Sequence, residues 1–155
     1  MEAKRQAAIA SDLPGSILFA CTMNSVRSPI AEAYMKFLHG RRVFVDSAGV
    51  RASDIDGFAI AVMEEIGIDM KRHHAKTFDE LHDSSFDIVV ALSPEAQHKA
   101  VEMTRTMACD VEYWPTMDPT AVEGSRERKL EAYRAVRDQI IARIHQRFPA
   151  ALKPT

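Results

Sequence analysis

The sequence predicts an α/β domain built on a mainly parallel sheet with helices on both faces. Short apolar runs of strand length alternate with stretches of helical period along most of the chain, the pattern of βαβ units joined by right-handed crossovers. The run over 86–92 is apolar at every position except Asp87, as befits a strand covered on both sides. Turn and capping residues punctuate these segments where each element should start or stop.

The elements follow in order. Ser16-Ile17-Leu18-Phe19-Ala20 is a strand-length run, and the polar stretch from Cys21 to Arg27 after it reads as a loop. Ser28-Pro29 then offers an N-cap residue and a proline at the first helical position. Ile30, Ala33, Tyr34, Phe37 and Leu38 recur at helical spacing until His39-Gly40. A second β-branched run covers 42–47 and is expected to break at Ala48-Gly49. Residues 58–66 have helical period and stop at Gly67, and Thr77-Phe78-Asp79-Glu80 has the form of a capping box opening a short helix. After the buried strand, Ser93-Pro94-Glu95 starts a helix expected to run to about Met107. A last strand occupies 110–114, and 115–124 is loop. From Ser125 to Phe148 the residues Leu130, Tyr133, Val136, Ile140, Ile141, Ile144 and Phe148 form one stripe on a long helix.

Composition narrows the function classes. The chain has 155 residues, a length at which folding buries roughly 70% of the extended surface, so one domain can hold a core without structural metal. The expected division is a polar N-terminal extension over 1–13, with no assigned function, and a single domain over 14–155. Twenty Lys and Arg against 22 Asp and Glu leave a formal charge of −2, so no global field draws nucleic acid or an anionic membrane. The arginines and Lys129 between Arg126 and Arg147 are interleaved with acids and read as a solvated helix face. Two cysteines, Cys21 and Cys109, are too few for a disulfide framework and fit a reducing compartment. With no apolar leader at the start and no run of membrane-spanning length, a cytoplasmic location is expected.

The chemistry concentrates in Cys21-Thr22-Met23-Asn24-Ser25-Val26-Arg27-Ser28-Pro29, between the first strand and the first helix. In open α/β sheets ligands bind beyond the carboxyl ends of the strands. A turn that returns into a helix can aim backbone N–H groups inward, and the helix N-terminus adds further donors and partial positive charge. Arg27 can clamp two oxygens of a phosphate with its planar fork. The same field favours a thiolate over a thiol at Cys21, so that a nucleophile and an anion site coincide.

On these residues the chain resembles the low-molecular-weight protein tyrosine phosphatases, a family that also includes thiol-dependent arsenate reductases. Cys21-x5-Arg27-Ser28-Pro29-Ile30-Ala31-Glu32 is similar to that family's phosphate-binding loop. Asp46-Ser47-Ala48-Gly49, His73-His74-Ala75-Lys76, Phe86-Asp87-Ile88-Val89-Val90 and Trp114-Pro115-x-x-Asp118-Pro119 resemble its later landmarks in order and spacing, over residues 16 to about 148. The resemblance implies a doubly wound, four-stranded parallel sheet and metal-free hydrolysis of phosphomonoesters. It implies that Cys21 attacks phosphorus, that Asp118 protonates the leaving oxygen and later deprotonates water, and that Arg27 and the loop amides stabilise the transferring charge. Ser28 would donate to the sulfur, and Asn24, Ser47 and His73 would hold the loop. No metal and no cofactor are expected: adjacent His73 and His74 diverge, and the other histidines lack ligand spacing. The expected partner is a phosphorylated protein or a small phosphoester, and oligomeric state is left open.

Departures from the family pattern sharpen these expectations. Met23 stands where most members have glycine, so strain is expected there. Val26 replaces a second cysteine that many members carry before the arginine. Ser53 and Thr120-Ala121 fall where eukaryotic relatives place aromatic walls. Ser25 is polar where tyrosine-preferring members are aliphatic, and some relatives with a hydroxyl there act on phosphoarginine. Two alternatives compete with phosphatase activity. One is arsenate reduction, which usually needs two further relay cysteines where only Cys109 remains; the other is a catalytically impaired phosphate-binding module.

Overall fold

The computed structural model describes residues 13–82 and 85–150. Four strands form one parallel sheet: β1 (Ser16–Cys21), β2 (Phe44–Gly49), β3 (Ile88–Ala91) and β4 (Asp110–Tyr113), in the order β2-β1-β3-β4. The helices are α1 (Arg27–His39), α2 (Gly57–Glu64), α3 (Pro94–Met103) and α4 (Arg126–Arg147), with 3-10 turns at Phe78–Glu80 and Pro119–Ala121. Strand β1 adds a partner on each side, β2 first and β3 second, so the chain reverses direction across the sheet at β1. A crevice opens at the carboxyl end of such a switch point.

The period of two along β1 divides the core. Ile17, Phe19 and Cys21 face a cluster built with Ile30, Met35, Val62, Leu130, Ile140 and Ile144, which come from α1, α2 and α4. Leu18 and Ala20 face the other side, against Phe78, Val89, Ala96 and Ala100 around α3. Ile17, Leu18 and Phe19 are completely buried, each burial being worth about 1.5–3 kcal/mol before entropy. The doubly covered parallel sheet expected from the alternation is therefore present. No helix among the described residues is long and apolar enough to cross a membrane.

Several boundaries differ for local reasons. Strand β2 lies two residues later than expected, because Arg42 and Val43 turn back to donate to the His39 carbonyl (2.9 and 3.0 Å). Ala48 and Gly49 do not break it; they pair with Ala20 and Cys21. Gly49 is glycine because a Cβ there would sit 2.3 Å from the Arg51 carbonyl oxygen and 2.7 Å from the Asn24 nitrogen. Ser28 does not cap α1: the N-cap position is Val26, with no side-chain bond, and the Ser28 hydroxyl turns into the preceding loop. Helix α3 stops at Met103 because the next turn tightens, Thr104, Arg105 and Thr106 each donating to the carbonyl three residues back. Ser93 starts α3 as expected and Ser125 caps α4, their hydroxyls accepting from the amides of Ala96 and Arg128 (both 3.2 Å). The face of α4 is not uniformly solvated. Arg137 is buried and donates to the Val62 carbonyl and to Glu65 (both 2.8 Å). Of the expected N-terminal extension, residues 1–12 lie outside the described residues.

Candidate active site

The loop after β1 is held open by its carbonyls. Those of Cys21, Thr22, Met23 and Ser25 accept from the backbone N–H groups of Val50, Arg51, Ser53 and Asp56, at 3.1, 2.8, 3.0 and 3.1 Å. The Asn24 carbonyl accepts from His73 Nε2 at 3.2 Å. A trans peptide is planar, with its C=O and the next N–H pointing in opposite directions. Pulling these carbonyls outward therefore aims the N–H groups of Thr22, Met23, Asn24, Ser25 and Val26 toward the inside of the turn. No backbone carbonyl among the described residues accepts from the amides of Met23 to Arg27. The result is a ring of donors ending at the N-terminus of α1, a geometry suited to a tetrahedral oxyanion.

Cys21 is 2% exposed and stands where β1 enters this ring. Its sulfur lies 2.9 Å from Ser28 Oγ and receives the Ser28 amide at 3.4 Å. The direction of the first bond follows from Asn24, which is fully buried and central to a network. Its Nδ2 donates to Ser28 Oγ and to Ser47 Oγ, both at 2.9 Å. Its Oδ1 accepts from the Lys76 amide at 3.0 Å and from His73 Nε2 at 3.1 Å. The backbone donor at Lys76 fixes which end of the side-chain amide is oxygen. Each serine oxygen thus accepts from Asn24 and keeps its own proton for elsewhere. Ser47 gives its proton to Glu32, and Ser28 is left to give its proton to the sulfur. The sulfur accordingly sits among donors, an arrangement that suits a thiolate.

Asn24 takes its place at a backbone cost. It is the only non-glycine described residue with positive φ, at 53°. The strain expected at Met23 does not occur, since its φ is ordinary and its side chain is only partly buried. Val26, in the place of the family's second cysteine, is 4% exposed and belongs to the core cluster beside Ile30. The His73 ring stands 3.7 Å from Glu32, and burial lowers its pKa against the pull of that carboxylate.

Arg27 is 7% exposed. Its Nη1 donates to the Thr116 carbonyl at 2.9 Å, and its Nη2 lies 3.5 Å from Thr22 Oγ1 and 4.0 Å from Asp118. Thr22 in turn donates to Ser93 Oγ at 3.1 Å, so the loops after β1, β3 and β4 meet here. Asp118 is far less enclosed than Arg27. Its side chain is 48% exposed, and its Oδ1 accepts from the amide and hydroxyl of Thr120 at 3.0 and 2.7 Å.

Every site residue expected from sequence converges on this edge of the sheet, and others were not foreseen. Glu32 anchors Ser47 and lies beside His73; its signal was its place four residues after Ser28, on the same helix face. Asp56, Lys76 and Thr116 contribute chiefly backbone groups, which leave no mark in the side-chain pattern.

Comparisons with known proteins agree with this geometry. Residues 16–154 match the sequence profile of the low molecular weight phosphotyrosine protein phosphatases. The arsenate reductase of Halalkalibacterium halodurans is 35% identical over 130 residues, covering 83% of this chain and 91% of that one. The arsenate reductase of Bacillus subtilis is 34% identical over 130 residues, covering 84% and 92%. Among solved structures, the YwlE arginine phosphatase of Geobacillus stearothermophilus superposes with a TM-score of 0.69 at 28% identity, over 88% of this chain and 91% of that one. The tyrosine phosphatase AmsI of Erwinia amylovora, at 21% identity, shares the fold with a TM-score of 0.71 over 92% and 95%. The chain belongs to the low molecular weight phosphotyrosine protein phosphatase family.

Proposed function

We propose that this protein hydrolyses phosphomonoesters through a phosphocysteine at Cys21. The supporting observation is the hydrogen-bond polarity of the loop, which runs from Asn24 through Ser28 and ends on the sulfur, inside a ring of inward amides. The thiolate attacks phosphorus and forms the S–P bond as the P–O ester bond breaks. Asp118 gives its proton to the departing oxygen. The amides and Arg27 hold the three equatorial oxygens, with Arg27 releasing Thr116 as the fork turns to the substrate. Water, deprotonated by Asp118, then attacks phosphorus, and the sulfur leaves as a thiolate steadied by the Ser28 hydroxyl. The substrate class is a phosphorylated protein side chain or a small phosphoester. Phosphotyrosine is the first to test, and phosphoarginine the second because Ser25 places a hydroxyl on the loop.

Arsenate reduction is the second reading, favoured by the names of the relatives in Halalkalibacterium halodurans and Bacillus subtilis. A reductase that relays electrons within its own chain needs a second sulfur that can reach the first. Cys109 precedes β4, whose start is level with Ile17 through the β1–β3–β4 registers, while Cys21 ends β1. Strand rise and spacing then separate the two cysteines by roughly 19 Å, far beyond the limit of about 7 Å between Cα atoms for a disulfide. Burial and the neighbouring Asp110 carboxylate also raise the Cys109 pKa, against thiolate formation.

Single-turnover hydrolysis of an aryl phosphate, quenched in acid and analysed by mass spectrometry, should show one phosphoryl group on Cys21. Arsenate turnover that oxidises glutathione or thioredoxin, with no aryl phosphate cleavage, would replace this reading with the reductase. Phosphate binding with neither reaction would leave only a binding module.

A further inference from the structure

Four of the five loop carbonyls are held by Val50, Arg51, Ser53 and His73, and the fifth by a residue whose side chain reaches α4. The Ser25 carbonyl accepts from the Asp56 amide at 3.1 Å, and Asp56 is tied to a distant helix by its own side chain. Its Oδ1 caps α2, accepting from Phe58 and Ala59 at 2.7 and 3.2 Å. Its Oδ2 accepts from the Tyr133 hydroxyl on α4 at 2.8 Å. Tyr133 is 3% exposed, and its ring packs against Phe58 with centroids 5.3 Å apart. Burial, reinforced by Asp56, raises the Tyr133 pKa well above the ordinary phenol range, so the hydroxyl stays a donor at any working pH.

We propose that Tyr133 is a positioning residue for the anion site, acting through Asp56 on the Ser25 carbonyl and hence on the direction of the Val26 amide. The inference rests on the proposed use of the loop as a phosphate cradle. The chain of cause is short. The Tyr133 hydroxyl fixes the Asp56 carboxylate from one side while the first amides of α2 fix it from the other. That pins the Asp56 backbone, whose N–H draws the Ser25 carbonyl outward. Because the peptide is planar, the Val26 N–H is then turned into the ring. Without the hydroxyl, Oδ2 loses its only donor among the described residues and the carboxylate swings toward water, loosening the loop anchor that crosses to α4.

Tyr133→Phe keeps the ring and its packing and removes one oxygen. Asp56→Asn keeps an N-cap side chain and weakens the link from the other end. Inorganic phosphate binding measured by calorimetry at low temperature reads the cradle without turnover, and steady-state hydrolysis of an aryl phosphate reads its use. Tyr133→Phe should weaken phosphate binding and lower kcat by about fivefold each, the equivalent of one hydrogen bond, with KM changing in step with phosphate affinity. Asp56→Asn should lose a similar factor, and the double variant should lose no more than the worse single variant, because both break one link. Unchanged phosphate affinity in Tyr133→Phe would overturn the proposal, as would losses that multiply in the double variant. A wild-type protein that binds phosphate but hydrolyses nothing would overturn the phosphatase reading and leave the positioning role to be decided by the binding data.

Discussion

The two halves of the candidate site are built to different standards. Around the sulfur, Asn24, Ser28 and Ser47 are completely buried, and every side-chain polar atom of Asn24 has a partner. Five outward carbonyls hold the loop's shape from outside. Around Asp118 the enclosure is slight: the carboxylate is about half exposed, its hydrogen bonds stay within two residues, and its link to Arg27 is a 4.0 Å ion pair of the kind worth at most about 1 kcal/mol. On the proposed reading, the contrast teaches that the anion cradle is fixed by the fold, whereas Asp118, the proposed proton donor, is left free to adjust to the leaving group.

Substitutions separate these halves by pairing activity with stability. The largest effect belongs to Cys21→Ser, which should lower aryl phosphate hydrolysis by about 10⁴-fold or more while leaving the melting temperature within a few degrees. Residual activity near wild type would mean that the sulfur is not the nucleophile. Next is Asn24→Ala. It removes one partner each from Ser28, Ser47 and the Lys76 amide at once, so unfolding free energy should drop by about 2–4 kcal/mol in urea titration and kcat should fall by about 10²-fold. Loss of one without the other would break the link between network and cradle.

Asp118→Asn should also reduce kcat by about 10²-fold, most for esters with poor leaving groups, yet change stability by less than about 0.5 kcal/mol. A large stability loss there would erase the distinction between the halves. The smallest effect is expected from Met23→Gly. Because Met23 has an ordinary φ, the glycine relieves no strain, and the change should cost about 0.5–1 kcal/mol in chain entropy with rates altered less than about threefold. A marked gain in activity would show that the methionine obstructs substrate.

What could be read in advance follows the same division. The alternation of strand and helix, the placement of Cys21 and Arg27 between them, and Asp118 after the last strand are properties of order along the chain, and all three appear in the structure. Ser28 illustrates what order cannot convey. A serine before a proline looks like a cap, but the chain enters α1 two residues earlier, with Val26 at the cap, and the hydroxyl is taken by Cys21 and Asn24. Ala48-Gly49 looked like a break because glycine disfavours strands, whereas the crowding at Asn24 that demands glycine comes from a segment more than twenty residues away. Glu32, Asp56, Tyr133 and the Thr116 carbonyl act across elements, and only tertiary packing brings them to the site.

The position of Cys109 at the far edge of the sheet also bears on damage. Sulfenic acid formed at Cys21 by peroxide would find no thiol of its own chain to condense with, and further oxidation to the sulfinic and sulfonic acids is irreversible for such a site. Rescue has to arrive from outside, as a small thiol slender enough to reach a sulfur that is only 2% exposed. The working lifetime of the protein under oxidative stress is therefore set by the reductant supply of its surroundings.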